Sequence, residues 1–295
     1  MAPTPSTRPE LRGMLQLLKP ITWFPPMWAF ACGAVSSGTN PLDTPLLLLA
    51  GIILAGPMVC GASQVVNDWF DREVDAINEP YRPIPSGRVP GSWGLYLAII
   101  WTVLSLILAS QLGATVFWAA LLGIGLAWAY SAPPFRFKQN GWYGNLAVGI
   151  SYEGLAWITG AAVMLGTLPD KEILALALLY SLGAHGIMTL NDFKALEGDL
   201  RMGVRSLPAQ LGPERAAKVA CLVMGAPQVF VIALLYDWGQ PAYAALIAAL
   251  LAAQFAAMRR LLTDPRALAP WYNGTGVTLY VLGMMASAIA IRGLA

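Results

Sequence analysis

Apolar residues run along this chain in blocks about twenty residues long, broken by short polar stretches rich in proline, glycine and charge. Blocks of that length match the hydrocarbon thickness of a bilayer when coiled as α-helix. Nine spans are predicted, at 20–37, 45–66, 93–111, 114–130, 142–165, 173–190, 219–235, 242–262 and 276–291. The fold class expected is all-α: a polytopic membrane protein read as one transmembrane domain over 1–295 with a polar tail at 1–14. Pro20, Pro25 and Pro26 predict an irregular or kinked first span. A link as tight as Gln111-Leu112-Gly113 predicts that the helices on either side form a hairpin.

Composition agrees with the pattern. Hydrophobic residues make up 57% of the chain and charged residues 12%, a balance a soluble domain of this length would not show. The first ten residues lack the charged, apolar and cleavage regions of a signal peptide, so the membrane segments are expected to be retained. Net charge is only +2, and no nucleic-acid motif appears. Cys32, Cys60 and Cys221 stand apart within apolar stretches, as packing residues do. Sixteen of the eighteen basic residues fall in alternate connections, the other face receiving only Lys171 and Arg292. The positive-inside rule then predicts a cytoplasmic N-terminus and a C-terminus on the opposite side.

Two of the basic connections begin with related acidic strings. Asn67-Asp68-Trp69-Phe70-Asp71-Arg72-Glu73-Val74-Asp75 ends the second block, and Asn191-Asp192-Phe193-Lys194-Ala195-Leu196-Glu197-Gly198-Asp199 ends the sixth, 124 residues later. An internal repeat with chemistry at the same place in each half is expected. At about 100° per residue, Asn67, Asp68, Asp71 and Asp75 share one helical face. With no lysine on that face, such hard oxygen ligands call for a divalent cation. If the second helix continues, Asn191, Asp192 and Asp199 repeat three of those directions, Ala195 replaces Asp71, and Glu197 points away. Arg72, Arg82, Arg88, Arg136, Lys138, Lys194, Arg201 and Arg205 surround the acidic strings on the same side. Carboxylates holding Mg²⁺, with arginine and lysine beside them, form a site for a diphosphate.

At these residues the chain resembles the UbiA-type intramembrane prenyltransferases, through NDxxDxxxD at 67–75 and the second aspartate motif. Within them it resembles the (bacterio)chlorophyll synthases. That likeness lies in Lys19-Pro20-Ile21-Thr22-Trp23-Phe24-Pro25-Pro26-Met27-Trp28, in Arg82-Pro83-Ile84-Pro85-Ser86-Gly87-Arg88 and in the second acidic string. Ser151-Tyr152-Glu153-Gly154, Gly183-Ala184-His185-Gly186-Ile187-Met188-Thr189 and Trp271-Tyr272-Asn273-Gly274-Thr275-Gly276 resemble the bacteriochlorophyll a branch.

The resemblance implies a nine-helix bundle around a lipid-accessible cavity. It implies Mg²⁺-assisted esterification of the bacteriochlorophyllide a propionate by phytyl or geranylgeranyl diphosphate. Asp68, Asp71 and Asp192 would be catalytic, and Asn67, Asp75, Asn191 and Asp199 would join them around metal. His185, Glu153, Tyr130 and Trp23 are the candidates for touching the pigment, with Trp28 and Trp157 as further candidate walls of its pocket. For His185 the alternative is a histidine satisfied within the bundle, and for Glu153 a protonated or hydrogen-bonded structural role. The expected setting is the intracytoplasmic photosynthetic membrane of a bacterium, among lipids and pigment-biosynthesis or light-harvesting assembly proteins. Two other readings fit the composition: a UbiA-type enzyme with another acceptor, such as chlorophyllide, a quinone precursor or haem, and an ion-coupled transporter built on half-repeats.

Overall fold

In the computed structural model, which describes residues 8–294, every regular element is a helix. Residues 1–7 of the expected polar tail lie outside the described residues, and helix α1 (Leu11–Leu17) begins within its remainder. The irregular first span takes the form of a one-turn 3₁₀ helix, Pro20–Thr22, followed by α2 (Phe24–Ser36). Prolines 25 and 26 sit in the first turn of α2, where a missing N–H costs nothing.

Eight runs among the described residues are long and apolar enough to cross a membrane. They are α3 (Pro45–Asn78), α4 (Trp93–Gln111), α5 (Ala114–Ser131), α6 (Gly141–Leu165), the run Lys171–Met202, Pro213–Asp237, Pro241–Leu261 and Pro265–Ile291. The expected count of nine is not met on these terms, because α2 has only 13 residues. The run Lys171–Met202 comprises α7 (Lys171–Asn191), a 3₁₀ turn at Asp192–Ala195 and α8 (Leu196–Met202). After α9 (Leu207–Leu211) come α10 (Pro213–Asp237), α11 (Pro241–Leu261) and α12 (Pro265–Ile291).

The boundaries have local causes. Proline stands at the start of α3, α10, α11 and α12, pre-set in φ for a first turn. Gly113, at φ 121°, makes the two-residue corner that folds α4 and α5 into the expected hairpin. Two spans contain a π-helical segment: Leu54–Cys60 in α3, around Pro57, and Ile150–Leu155 in α6. Each widened turn departs from the regular i to i−4 ladder and re-aims the side chains beyond it.

Packing is dense where small residues face each other. Helix α2 lies against the second half of α6, where Gly33 faces the Trp157 carbonyl and Gly160 faces the Phe30 carbonyl. Backbones approach this closely only where no Cβ intervenes. One core gathers Trp157, Tyr180, Ile247, Tyr280 and Met284 from α6, α7, α11 and α12. Gln228 donates to Gln254 (2.6 Å), which donates to the Gly276 carbonyl (2.8 Å), a buried polar chain linking α10, α11 and α12. All three cysteines are buried and unpaired, as expected of packing residues. Large apolar side chains such as Ile100, Leu104 and Ile107 point outward, as they do on helices bathed in lipid.

Candidate active site

The first acidic string forms the last turns of α3, and its carboxylates do share a face. The helix itself places no lysine on this face, as expected, but the fold brings lysines to it from elsewhere in the chain. Asp68, only 3% exposed, is 2.6 Å from the Lys19 ammonium and 3.3 Å from Arg82. Arg82 also reaches Asp75 at 2.9 Å and pairs with Glu79, while Lys138 pairs with Asp71. These cations come from the segment before α2, the loop after α3 and the loop between α5 and α6. A helical wheel holds only its own helix, so partners that arrive through tertiary contact are invisible to it. Burial alone would lower the Arg82 pKa, but Asp68, Asp75 and Glu79 outweigh that and raise it. At Lys138 burial wins and the pKa is lowered, with Asp71 opposing.

The second string departs from the regular helix on which its expected directions rested. The α-helix ends at Asn191 and the next four residues form a 3₁₀ turn. A 3₁₀ residue advances about 120° where an α residue advances about 100°, so four of them rotate the downstream helix by roughly 80°. Asp199 therefore does not repeat the direction of Asp75, and Glu197 is exposed. The Asp192 carboxylate accepts from the Asn145 amide at 3.1 Å, and Asn191 accepts from Asn273 at 2.8 Å. Among the described residues no ion pair reaches Asp192 or Asp199. The first cluster is neutralised in advance and the second is not.

The remaining basic candidates are dispersed. Arg72 lies over the ring of Trp69, 4.2 Å from its centroid, and donates to that residue's carbonyl at 2.8 Å. Arg88 donates to Gln16 (2.5 Å), the Tyr81 carbonyl (2.7 Å) and Ser86 (3.1 Å), fastening its loop to α1. Arg136 is partly buried, in a left-handed conformation at φ 41°, and its Nε has no partner among the described residues. Lys194, Arg201 and Arg205 are not drawn into the first acidic cluster, and none of them forms an ion pair among the described residues. The Arg205 backbone bonds to Gln139 and Gly141, so the loops after α5 and α8 are stitched together.

A cavity of about 380 Å³ connects the two halves, with Asn67 and Asn191, the first residues of both acidic strings, in its wall. Tyr130 and Glu153 line it too, and Glu153 Oε2 is buried without a hydrogen-bond partner among the described residues. Ser63, Gln64 and Tyr152 add polar edges to an otherwise apolar wall, Gln64 donating to the Tyr152 hydroxyl at 2.8 Å. His185 and Trp23 lie outside this lining. His185 packs on Trp142 with ring centroids 5.7 Å apart, and Trp23 donates to the Leu18 carbonyl at 2.8 Å. Trp157 is fully buried in the core, stacked on Tyr180 and donating to Ser36. Trp28 donates to the Val281 carbonyl at 3.0 Å.

Three residues here were given no site role from the sequence: Lys19, Asn145 and Asn273. Asn145 and Asn273 left a signal, since a polar side chain inside an apolar span is usually paired or functional. Lys19 opens one of the strings that carry the family resemblance, but as a lone charge at a membrane border it gave no sign of pairing with Asp68. No group of three or more His, Cys, Asp or Glu side chains among the described residues already forms a metal cage. The donor set nevertheless fits a hard cation: the aspartates and asparagines of the two strings offer carboxylate and amide oxygens, with no thiolate or imidazole among them.

The UbiA prenyltransferase family model matches residues 23–286. The bacteriochlorophyll synthase 33 kDa chain of Cereibacter sphaeroides is 60% identical over 290 residues, covering 98% of this chain and 96% of that one. Its counterpart in Rhodobacter capsulatus is 57% identical over 296 residues, covering 99% and 97%. Among solved structures, a UbiA homolog from Archaeoglobus fulgidus bound to GPP and Mg²⁺ superimposes with a TM-score of 0.71 at 21% identity, over 95% of this chain and 99% of that one. The aspartate strings, the membrane-spanning bundle and the match over most of the chain thus agree: this protein belongs to the UbiA prenyltransferase family and is a membrane-embedded prenyltransferase.

Proposed function

We propose that the protein esterifies the propionate of bacteriochlorophyllide a with a C20 prenyl group, phytyl or geranylgeranyl, taken from the prenyl diphosphate. The observation that carries this reading is the shared cavity, largely apolar, whose wall includes Asn67 and Asn191, the first residues of the two acidic strings. It is supported by the 60% identity to a bacteriochlorophyll synthase chain over nearly the full length. Asp68, Asp71, Asp75, Asp192 and Asp199, with Asn67 and Asn191, would hold Mg²⁺, which when bound neutralises the diphosphate as a leaving group. Arg82 and Lys138 stand beside those carboxylates and take up the remaining diphosphate charge.

The acceptor carboxyl, with a pKa of about 4, is already ionised at neutral pH. No residue of the chain therefore has to remove a proton from it. The apolar cavity wall keeps water from the allylic cation until the carboxylate attacks. Tyr130 and Glu153 are the wall residues best placed to touch the pigment. Helix α2, packed on α6, serves as the ninth span of a single domain. The acidic strings face the cytoplasm of a photosynthetic bacterium's inner membrane, and both greasy substrates enter from the lipid.

The test is incubation of membranes containing the protein with labelled geranylgeranyl or phytyl diphosphate and either bacteriochlorophyllide a or chlorophyllide a, with and without EDTA. Esterified bacteriochlorophyll that forms only without EDTA is the expected product. Preference for chlorophyllide, or transfer only to a quinone precursor or haem, would overturn the acceptor assignment.

A further inference from the structure

Lys19 stands where a metal ligand's partner is needed. Its ammonium lies 2.6 Å from the Oδ1 of Asp68, a carboxylate almost sealed from solvent, and the lysine side chain itself is 24% exposed. The backbone that delivers it is held in the left-handed region at φ 45°, a conformation that costs a non-glycine residue of order 1 kcal/mol or more. Two side-chain bonds fix that turn: Thr22 donates to the Lys19 carbonyl at 2.8 Å and Trp23 to the Leu18 carbonyl at 2.8 Å. Ile21 and Thr22, the neighbouring residues along the turn, form part of the cavity wall. A strained, pinned backbone thus aims one flexible cation at the carboxylate that opens the first acidic string.

The three cations on this face are not equivalent. Arg82 is shared among Asp68, Asp75 and Glu79, so losing one partner leaves it anchored by two. Among the described residues Lys19 makes one ion pair, through a compact charge on a flexible stem. A divalent ion at about 2.1 Å attracts an oxygen roughly 2.5 times as strongly as a monovalent one at 2.6 Å, before the cost of stripping its water.

We infer that Lys19 is a resident counter-ion that occupies the metal's place on Asp68 and is exchanged for Mg²⁺, after which its ammonium is free to meet the diphosphate. Lys19 is thus a positioning residue. It holds Asp68 in register while no metal is bound and sets how much Mg²⁺ the site requires. The inference rests on the assignment of Asp68 to the metal site given above.

The test is Mn²⁺ binding to the full-length protein without substrates, followed by electron paramagnetic resonance, in wild type and in Lys19→Met, Lys19→Arg and Asp68→Asn. Removing the competitor should tighten Mn²⁺ binding about tenfold or more in Lys19→Met, while Lys19→Arg stays near wild type. Equal affinity in wild type and Lys19→Met, with binding lost in Asp68→Asn, would overturn the exchange and leave the metal site standing. Unchanged binding in Asp68→Asn would overturn both. A second measurement needs no variant: amine-reactive labelling of Lys19 in the wild-type protein, quantified against the exposed Lys171. Labelling should rise several-fold on adding Mn²⁺ and fall again on adding inorganic pyrophosphate. Labelling of Lys19 that is indifferent to Mn²⁺ would overturn the inference even if Lys19→Met does not fold.

Discussion

Aspartate, asparagine and glutamate occupy the two acidic strings, but their surroundings give them different work. Asp68 is buried and paired with cations, whereas Asp192 accepts from the Asn145 amide and forms no ion pair among the described residues. Glu197 faces outward beyond the 3₁₀ turn. Asp68→Ala and Asp192→Ala are expected to be nearly inactive in prenyl transfer, whereas Glu197→Gln should keep substantial activity. Cations divide in the same way. Lys138→Met removes a charge beside Asp71 and should lower kcat/KM about ten- to a hundredfold, the worth of a charge-assisted contact of about 1.5–3 kcal/mol. Arg88 spends its donors on Gln16, Ser86 and the Tyr81 carbonyl. Arg88→Met should therefore act mainly on thermal stability. Steady-state kinetics and thermal unfolding in detergent, run on both variants, separate the two effects, and normal kinetics in Lys138→Met would remove it from the diphosphate site.

At the scale of the element, the cavity owes its shape to helices that are not uniform. The π-helical segments of α3 and α6 meet where Tyr152 contacts Cys60; the α6 segment lines the cavity through Ser151, Tyr152 and Glu153, and the α3 segment backs it from behind Tyr152. Holding that wall in place is the close approach of α2 to α6, made by Gly33 and Gly160, where an added Cβ would run into backbone carbonyls. Side chains can rotate away from a clash, but a helix backbone moves only as a unit. Gly33→Ala or Gly160→Ala should therefore cost about 1–3 kcal/mol, the usual penalty of overpacking. At Gly125 an added methyl would meet nothing within 4 Å, so Gly125→Ala provides the control and should be neutral or slightly stabilising. Thermal unfolding of the three variants reads this directly; equal midpoints would show that the α2–α6 seam yields.

For the molecule as a whole, the distribution of basic residues dictates which side the chemistry faces. With sixteen of eighteen Lys and Arg residues in alternate connections, a reporter inserted between Arg82 and Arg88 should be active only in the cytoplasm. One fused after Ala295 should be active only on the far side. The reverse pattern would put the acidic strings on the wrong face for a cytoplasmic diphosphate.

The linear pattern determined what depends on near neighbours along the chain. Apolar block lengths foretold the spanning helices, because burying a backbone in lipid requires its hydrogen bonds to be made internally. Gly113 foretold a hairpin, and proline foretold the irregular entry at Pro20–Thr22. The aspartates and their spacing foretold a shared face on α3, since the helix there is regular through Asn78. Tertiary structure decided whatever depends on residues far apart. The 3₁₀ turn at Asp192 broke the register that a continuous helix would have preserved. Lys19, Arg82 and Lys138 converge on three aspartates, the lysines from 49 and 67 residues away, and so neutralise a face that has no lysine of its own. Charge acts through space, and only the folded bundle brings those distant charges within a few ångströms.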